Sequence, residues 1–259
     1  MTSHKPALGL KIFDSHFHII DRRFPLVPNK GFVPDSFTCD DYIKRTESLS
    51  VVGGAVVSGS FQAFDQDYLL AALRTFGPRF VGVTQLPASV TDDQVQKLDD
   101  AGVRALRFNL VRGGSSVIEH LEVLAKRVHE IAGWHVELCI DSKYLSNLYG
   151  MLMNLPAVAI DHLGLSEVGL PTLLKLVEKG IYVKATGFGR VNFDIKDAIK
   201  QIVLANPNAL VFGTDLPSTR AARAFRDTDI FILRDGLGEE MAKKVFYDNA
   251  IALYRPRGL

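Results

Sequence analysis

The sequence predicts one α/β domain, residues 1–259, folded as a (β/α)8 barrel of the TIM type. Three observations carry that prediction. Eight short apolar runs rich in β-branched residues recur along the chain, longer amphipathic stretches separate them, and 259 residues is a length at which one barrel is typically completed. An open, doubly wound sheet would share the pattern, but eight strands each followed by a helix close more readily than they stay open.

The predicted strands are KIFDSHF at 11–17, VVGGAVVSG at 51–59, RFVGVTQL at 79–86 and VRALRFNL at 103–110. The second half continues with WHVELCID at 134–141, AVAIDHL at 157–163, GIYVKATG at 180–187 and ALVFGTD at 209–215. Helical periodicity fills 67–76, 92–101, 116–132, 145–155, 170–179 and 194–205, with Val117, Leu121, Leu124, Val128 and Ile131 forming one stripe. Gly77-Pro78, Gly102, Gly133, Gly180 and Asn206-Pro207 mark helix ends. Residues 21–38, with Pro25, Pro28, Gly31 and Pro34, lack periodicity and follow the first strand, where a barrel keeps functional loops, so they form a candidate lid. A final helix at 239–254 is expected to pack on the barrel.

Composition narrows the function classes. Apolar residues make up 47% and charged residues 23%, near the average for globular proteins, which argues against disorder and against a membrane protein. The net charge of +1, with both signs mixed along the chain, supplies no footprint for nucleic acid or an anionic membrane. No apolar run approaches the roughly 20 residues of a membrane span, and MTSHKPALGLK lacks the apolar stretch of a secretory signal, so a cytoplasmic protein is expected. Cys39 and Cys139 have neither metal-knuckle spacing nor the number for a disulfide framework.

Catalytic groups of such barrels sit at the C-terminal ends of different strands. His16 and His18 end the first strand as HFH, and the alternation of a strand points both the same way. His162 ends the sixth strand and Asp215 the eighth, and closure makes the eighth strand a neighbour of the first. One histidine at a strand end is commonly structural, and an aspartate there is commonly a helix cap, but three histidines and an aspartate on one rim point to chemistry. Asp14 and Asp161, next to the histidines and expected to face the other way, are read as structural. Arg107 lies within an apolar strand near its functional end; an unpaired buried guanidinium is costly, so a ligand carboxylate is its expected partner.

HxH after the first strand, DHLG after the sixth and GTDxP after the eighth together resemble family 2 of the amidohydrolase superfamily, from about Lys11 to Tyr254. FPLVPNKGFVPD, RFNLVR and WHVELCID look most like the 2-pyrone-4,6-dicarboxylate lactonase branch. That resemblance implies a deformed TIM barrel and hydrolysis of a lactone ring in a small anionic substrate. Asp215 is then the general base on water, and His16, His18 and His162 polarise the carbonyl, as hydrogen-bond donors or as ligands, with Asp215, of one divalent ion such as zinc. The branch implies work without a cofactor, which is the preferred reading. His135 or Glu137 is a reasonable added zinc ligand. Arg107, Arg112 and Arg190 stand where the resemblance has carboxylate-binding arginines, Arg112 with a shift of one residue. Gln62 replaces a histidine and joins the substrate-binding set. Leu165 and Cys139 replace an arginine and a tyrosine, so the chemistry is expected to carry over and the substrate need not. A sugar-acid lactonase, a metal-dependent decarboxylase and a non-catalytic anion-binding barrel are the alternatives.

Overall fold

The structure, a computed structural model, describes residues 10–259, so residues 1–9 of the expected domain lie outside the described residues. Eight parallel strands pair in chain order: β1 (Ile12–Phe17), β2 (Val51–Val57), β3 (Phe80–Thr84), β4 (Val103–Asn109), β5 (His135–Cys139), β6 (Val158–Ile160), β7 (Tyr182–Ala185) and β8 (Leu210–Phe212). Helices α1 (Cys39–Thr46), α2 (Asp67–Phe76), α3 (Asp92–Asp100), α4 (Leu121–Ala132), α5 (Leu145–Met153), α6 (Leu170–Glu178), α7 (Ile195–Ala205) and α8 (Asp229–Leu237) follow the strands in turn. This is the predicted barrel. None of the helices among the described residues is long and apolar enough to cross a membrane.

Two of these helices escape a periodicity search. CDDYIKRT buries only Tyr42 and Thr46, and its start is fixed instead by a reciprocal cap in which Thr38 accepts from Asp41 N and Asp41 accepts from Thr38 N. Helix α8 buries Asp229 beside Ile230 and Leu233, so a charged residue interrupts its apolar face. The helix expected at 239–254 is broken: α9 (Glu239–Lys243), a π-helical turn (Lys244–Asp248) and α10 (Asn249–Tyr254) succeed one another.

The seam between β8 and β1 is sewn just beyond the end of β8. Asp215 N donates to His16 O at 2.7 Å, His18 N donates to Leu216 O at 2.7 Å, and Thr214 N donates to the Asp14 carboxylate at 2.8 Å. Gly213 permits this approach, since a Cβ there would lie 2.6 Å from His16 N.

Two apolar layers result from strand alternation. Residues such as Leu106, Leu138, Ile160 and Val183 face the helices in the large outer core. Phe13, Ala55, Val57, Val81, Val83, Ala105, Ala159 and Val211 fill the barrel interior and are closed below by Ala250, Leu253 and Tyr254 of α10. The final helix therefore plugs the N-terminal mouth, with Tyr254 stacked 5.4 Å from Phe13 and its hydroxyl donating to Ser15 O and Glu137. The opposite mouth is left for a site.

Candidate active site

Strand β1 aims its histidines through an irregularity. Asp14 pairs with Gly54 but Phe17 with Val56, so Ser15 and His16 together oppose a single residue of β2. Simple alternation from the inward Phe13 would turn His16 toward the helices. The extra residue resets the parity, as bulges beside active sites do, and brings His16 and His18 inward while Phe17 stacks on Tyr42 at 3.8 Å.

The backbone is also exceptional at the other two site residues. Asp215 has φ 60, and His162, Leu163 and Leu165 have φ 54, 53 and 64, left-handed values that cost a residue with a Cβ on the order of 1–3 kcal/mol. These turns are what bring Asp215 and His162 to His16. Ligand atoms of His16, His162 and Asp215 lie within 4.8 Å of one another. His18 stands beside them, its ring centre 5.1 Å from that of His16. Gly187 passes so close that a Cβ would sit 2.8 Å from His162 Nδ1 and 3.0 Å from the Asp215 carboxylate.

Beneath these residues lies a buried belt of charge on four consecutive strands. Arg107 on β4 gives Asp161 two hydrogen bonds of 3.2 and 2.8 Å and donates to Ser58 O at 2.8 Å. The partner expected from a ligand is thus already present in the protein. Asp161 follows the inward Ala159, so it also points into the barrel, against the expectation that it faces the other way; β6 is only three residues long and apolar on both faces, which hides its parity. Lys184 on β7 pairs with Glu137 on β5, and its Nζ lies 3.6 Å from Asp161 and 3.3 Å from His16 Nδ1. Glu137 in turn accepts from Tyr254 at 2.6 Å and meets His135 Nε2 at 3.3 Å. Lys184 was detectable in principle, as a lysine inside an apolar strand, by the same signal that singles out Arg107.

Burial holds the three histidines neutral. It pushes His18 down to about 3, helped by Arg107, and drives His16 and His162 well below the usual histidine range. Burial also works to raise Asp161, but the neighbouring cations, Arg107 foremost and Lys184, outweigh it and hold the carboxyl well below its ordinary value. For Asp215 burial wins: its carboxyl is raised, against the opposing pull of Arg190, which grips both oxygens at 2.7 and 3.1 Å.

Above the belt opens a cavity of about 350 Å³. Its wall includes His18, His162, Cys139, Asn109 and four arginines, Arg107, Arg112, Arg190 and Arg220, with no carboxylate among the lining residues. Arg107, Arg112 and Arg190 are therefore brought together as the sequence suggests. Gln62 is not: its amide accepts from Gly59 N at 2.6 Å and donates to Ile19 O at 2.7 Å, serving the loop after β2 instead of the cavity wall. Arg220, unforeseen in sequence, donates to the Asn29 side chain at 2.9 Å and lies 4.3 Å over the Phe32 ring. Asn29 also donates to Arg112 O at 3.1 Å, so the loop 21–38 spans the mouth between the two outer arginines.

His16, His162 and Asp215 are residue types that can hold a divalent ion. The arrangement does not fit one as it stands. Two cations already stand there, the Arg190 guanidinium against both Asp215 oxygens and the Lys184 ammonium against His16, and each would repel a divalent ion at this place.

A family model described as Amidohydrolase matches residues 13–255. A 2-pyrone-4,6-dicarboxylate hydrolase of Comamonas testosteroni is 25% identical over 275 residues, covering 94% of this chain and 90% of that protein. D-galactarolactone isomerase of Agrobacterium fabrum (strain C58) is 25% identical over 251 residues, covering 87% and 84%. A ligand-free crystal structure from Agrobacterium tumefaciens superposes with a TM-score of 0.86 at 22% identity, covering 96% of this chain and 97% of that one, a likeness of fold.

Proposed function

Since the chain belongs to the amidohydrolase family, we propose that it is a hydrolase opening the lactone ring of a small carboxylated substrate similar to 2-pyrone-4,6-dicarboxylate. One observation carries the reading: an ionisable carboxylate, Asp215, meets neutral imidazoles, buried behind a cavity whose wall includes His18, His162 and four arginines and no acid. The relative from Comamonas testosteroni, named for that substrate and matched along most of both chains, supports it.

The geometry supports the following reaction on such a ring. Asp215 takes a proton as water attacks the ring carbonyl carbon, and burial makes it a stronger base than an ordinary aspartate while Arg190 keeps it ionised. His16 and His162 stand beside Asp215 to meet the carbonyl oxygen as charge builds on it. The ring C–O bond then breaks, and the proton held by Asp215 passes to the departing oxygen. His18 has a different part, because its Nδ1 lies 2.7 Å from Val57 O and must donate to it; the neutral ring offers only a lone pair at Nε2. No step is routed through a metal. A bound divalent ion would supply Lewis-acid activation of the carbonyl from His16, His162 and Asp215, after displacing Arg190.

A second reading is isomerisation between lactones of a sugar acid, favoured by the D-galactarolactone isomerase that is also 25% identical. A panel of aromatic and sugar-acid lactones, with and without chelator, tests both. Ring opening of a carboxylated pyrone that survives chelation is the expected result. Absence of turnover on every lactone overturns the proposal, a lactone product selects the isomerase, and activity lost to chelator and restored by zinc reinstates the metal.

A further inference from the structure

The two histidines of the HFH motif differ in what meets their Nδ1 atoms. For His18 the partner is the carbonyl oxygen of Val57 at 2.7 Å, which can only accept, so Nδ1 carries the hydrogen. For His16 the partner is Lys184 Nζ at 3.3 Å, and an ammonium can only donate. Asp161 Oδ1 also lies 3.3 Å from His16 Nδ1, but out of line for a hydrogen bond, and it is a buried oxygen with no hydrogen-bond partner. His16 Nε2 has no partner either and faces Asp215 Oδ1 at 3.9 Å.

We propose that Lys184 is a positioning residue that holds His16 with its hydrogen on Nε2, so that the HFH pair presents one donor, His16, and one acceptor, His18, to the reacting group. Lys184 can hold this position because it is itself fastened. Its ammonium is fully buried against Glu137, Glu137 accepts from the Tyr254 hydroxyl at 2.6 Å, and Tyr254 belongs to the helix that plugs the far mouth. Tyr254 of α10 and Lys184 thus both donate to Glu137, and the ammonium held there meets His16 Nδ1, which leaves the hydrogen on Nε2, the His16 nitrogen that faces Asp215. The consequence for catalysis rests on the lactone-opening reading: a His16 Nε2–H aimed at the carbonyl oxygen stabilises the developing oxyanion, whereas the other tautomer would offer that oxygen a repelling lone pair. The position of the hydrogen itself does not depend on the substrate.

The test begins on the unmodified, full-length protein with 15N-labelled histidine, its His16 resonances identified by their absence in His16→Asn. Nitrogen shifts and ring couplings report which nitrogen is protonated. His16 is expected as the Nε2–H tautomer and His18 as the Nδ1–H tautomer; a His16 protonated on Nδ1 overturns the proposal. The second measurement uses the paired variant Lys184→Met/Glu137→Gln, which removes both charges of the ion pair together. In the folded variant the His16 hydrogen is expected to move to Nδ1, toward Asp161, with kcat reduced about 100-fold and KM little changed. A folded variant that keeps the Nε2–H tautomer and its kcat overturns the role of Lys184. Should the variant fail to fold, the spectrum of the unmodified protein still decides. A protein that shows the two tautomers but opens no lactone contradicts the catalytic reading alone.

Discussion

The floor and the mouth of the cavity both carry arginines, and they carry them differently. On the floor, Arg107 is spent on Asp161 and Arg190 on Asp215, with each guanidinium largely sequestered from water. At the mouth, Arg112 and Arg220 have no carboxylate partner among the described residues, and Arg220 is held by an amide and a phenyl ring instead. The difference follows from solvation. A buried cation without a counter-ion is too costly to keep, so the floor must be neutralised from within, whereas half-buried cations remain hydrated and available to an anion that arrives later. Floor arginines set the electrostatics of the reacting groups; mouth arginines are the ones free to recognise a ligand.

The largest expected effect would break this division at the floor. Arg107→Met leaves Asp161 buried beside only His16 and Lys184, and removal of one partner of a buried pair costs about 3–5 kcal/mol, read by urea or guanidinium unfolding. A variant of normal stability with only a raised KM would move Arg107 to the ligand-binding class.

Next is Asp215→Asn, expected to lower kcat by at least about 10²-fold, equivalent to roughly 2.7 kcal/mol or more, with unchanged secondary structure. A near-normal rate would take Asp215 out of the mechanism. At the mouth, Arg112→Met and Arg220→Met should each raise KM for a carboxylated lactone about 10-fold, roughly 1.4 kcal/mol, while stability stays within about 0.5 kcal/mol. Equal losses on a neutral lactone would blur the contrast, since recognition of charge would not then explain them.

The effect that is smallest near neutral pH sharpens the picture as the pH falls. His18 is held at about 3 when folded and returns to about 6.5 when unfolded, so the unfolded chain binds the extra proton. The stability this protects is complete above pH 6.5 and is lost as pH falls toward 3, at a limiting slope of about 1.4 kcal/mol per pH unit. His18→Asn, whose side-chain amide can still donate to Val57 O, should lack this component between those limits. Identical pH profiles for the two proteins would mean that His18 is not buried in its neutral form.

The sequence by itself determined the order and number of strands, because apolar alternation and glycine punctuation are local signals, and each of the eight predicted runs contains an observed strand. It also determined which rim carries His16, His18, His162 and Asp215, because a parallel barrel allows only one end for such residues. Tertiary structure alone decided who meets whom. The β1 irregularity that turns His16 inward is visible only against the register of β2, and the inward turn of Asp161 only once three-residue β6 is placed between its neighbours. Arg107 finds Asp161 across 54 residues, Lys184 finds His16 across 168, and Tyr254 reaches Glu137 from the last helix. Burial of a charge dictates that a partner must exist, but which residue supplies it is a property of the closed barrel.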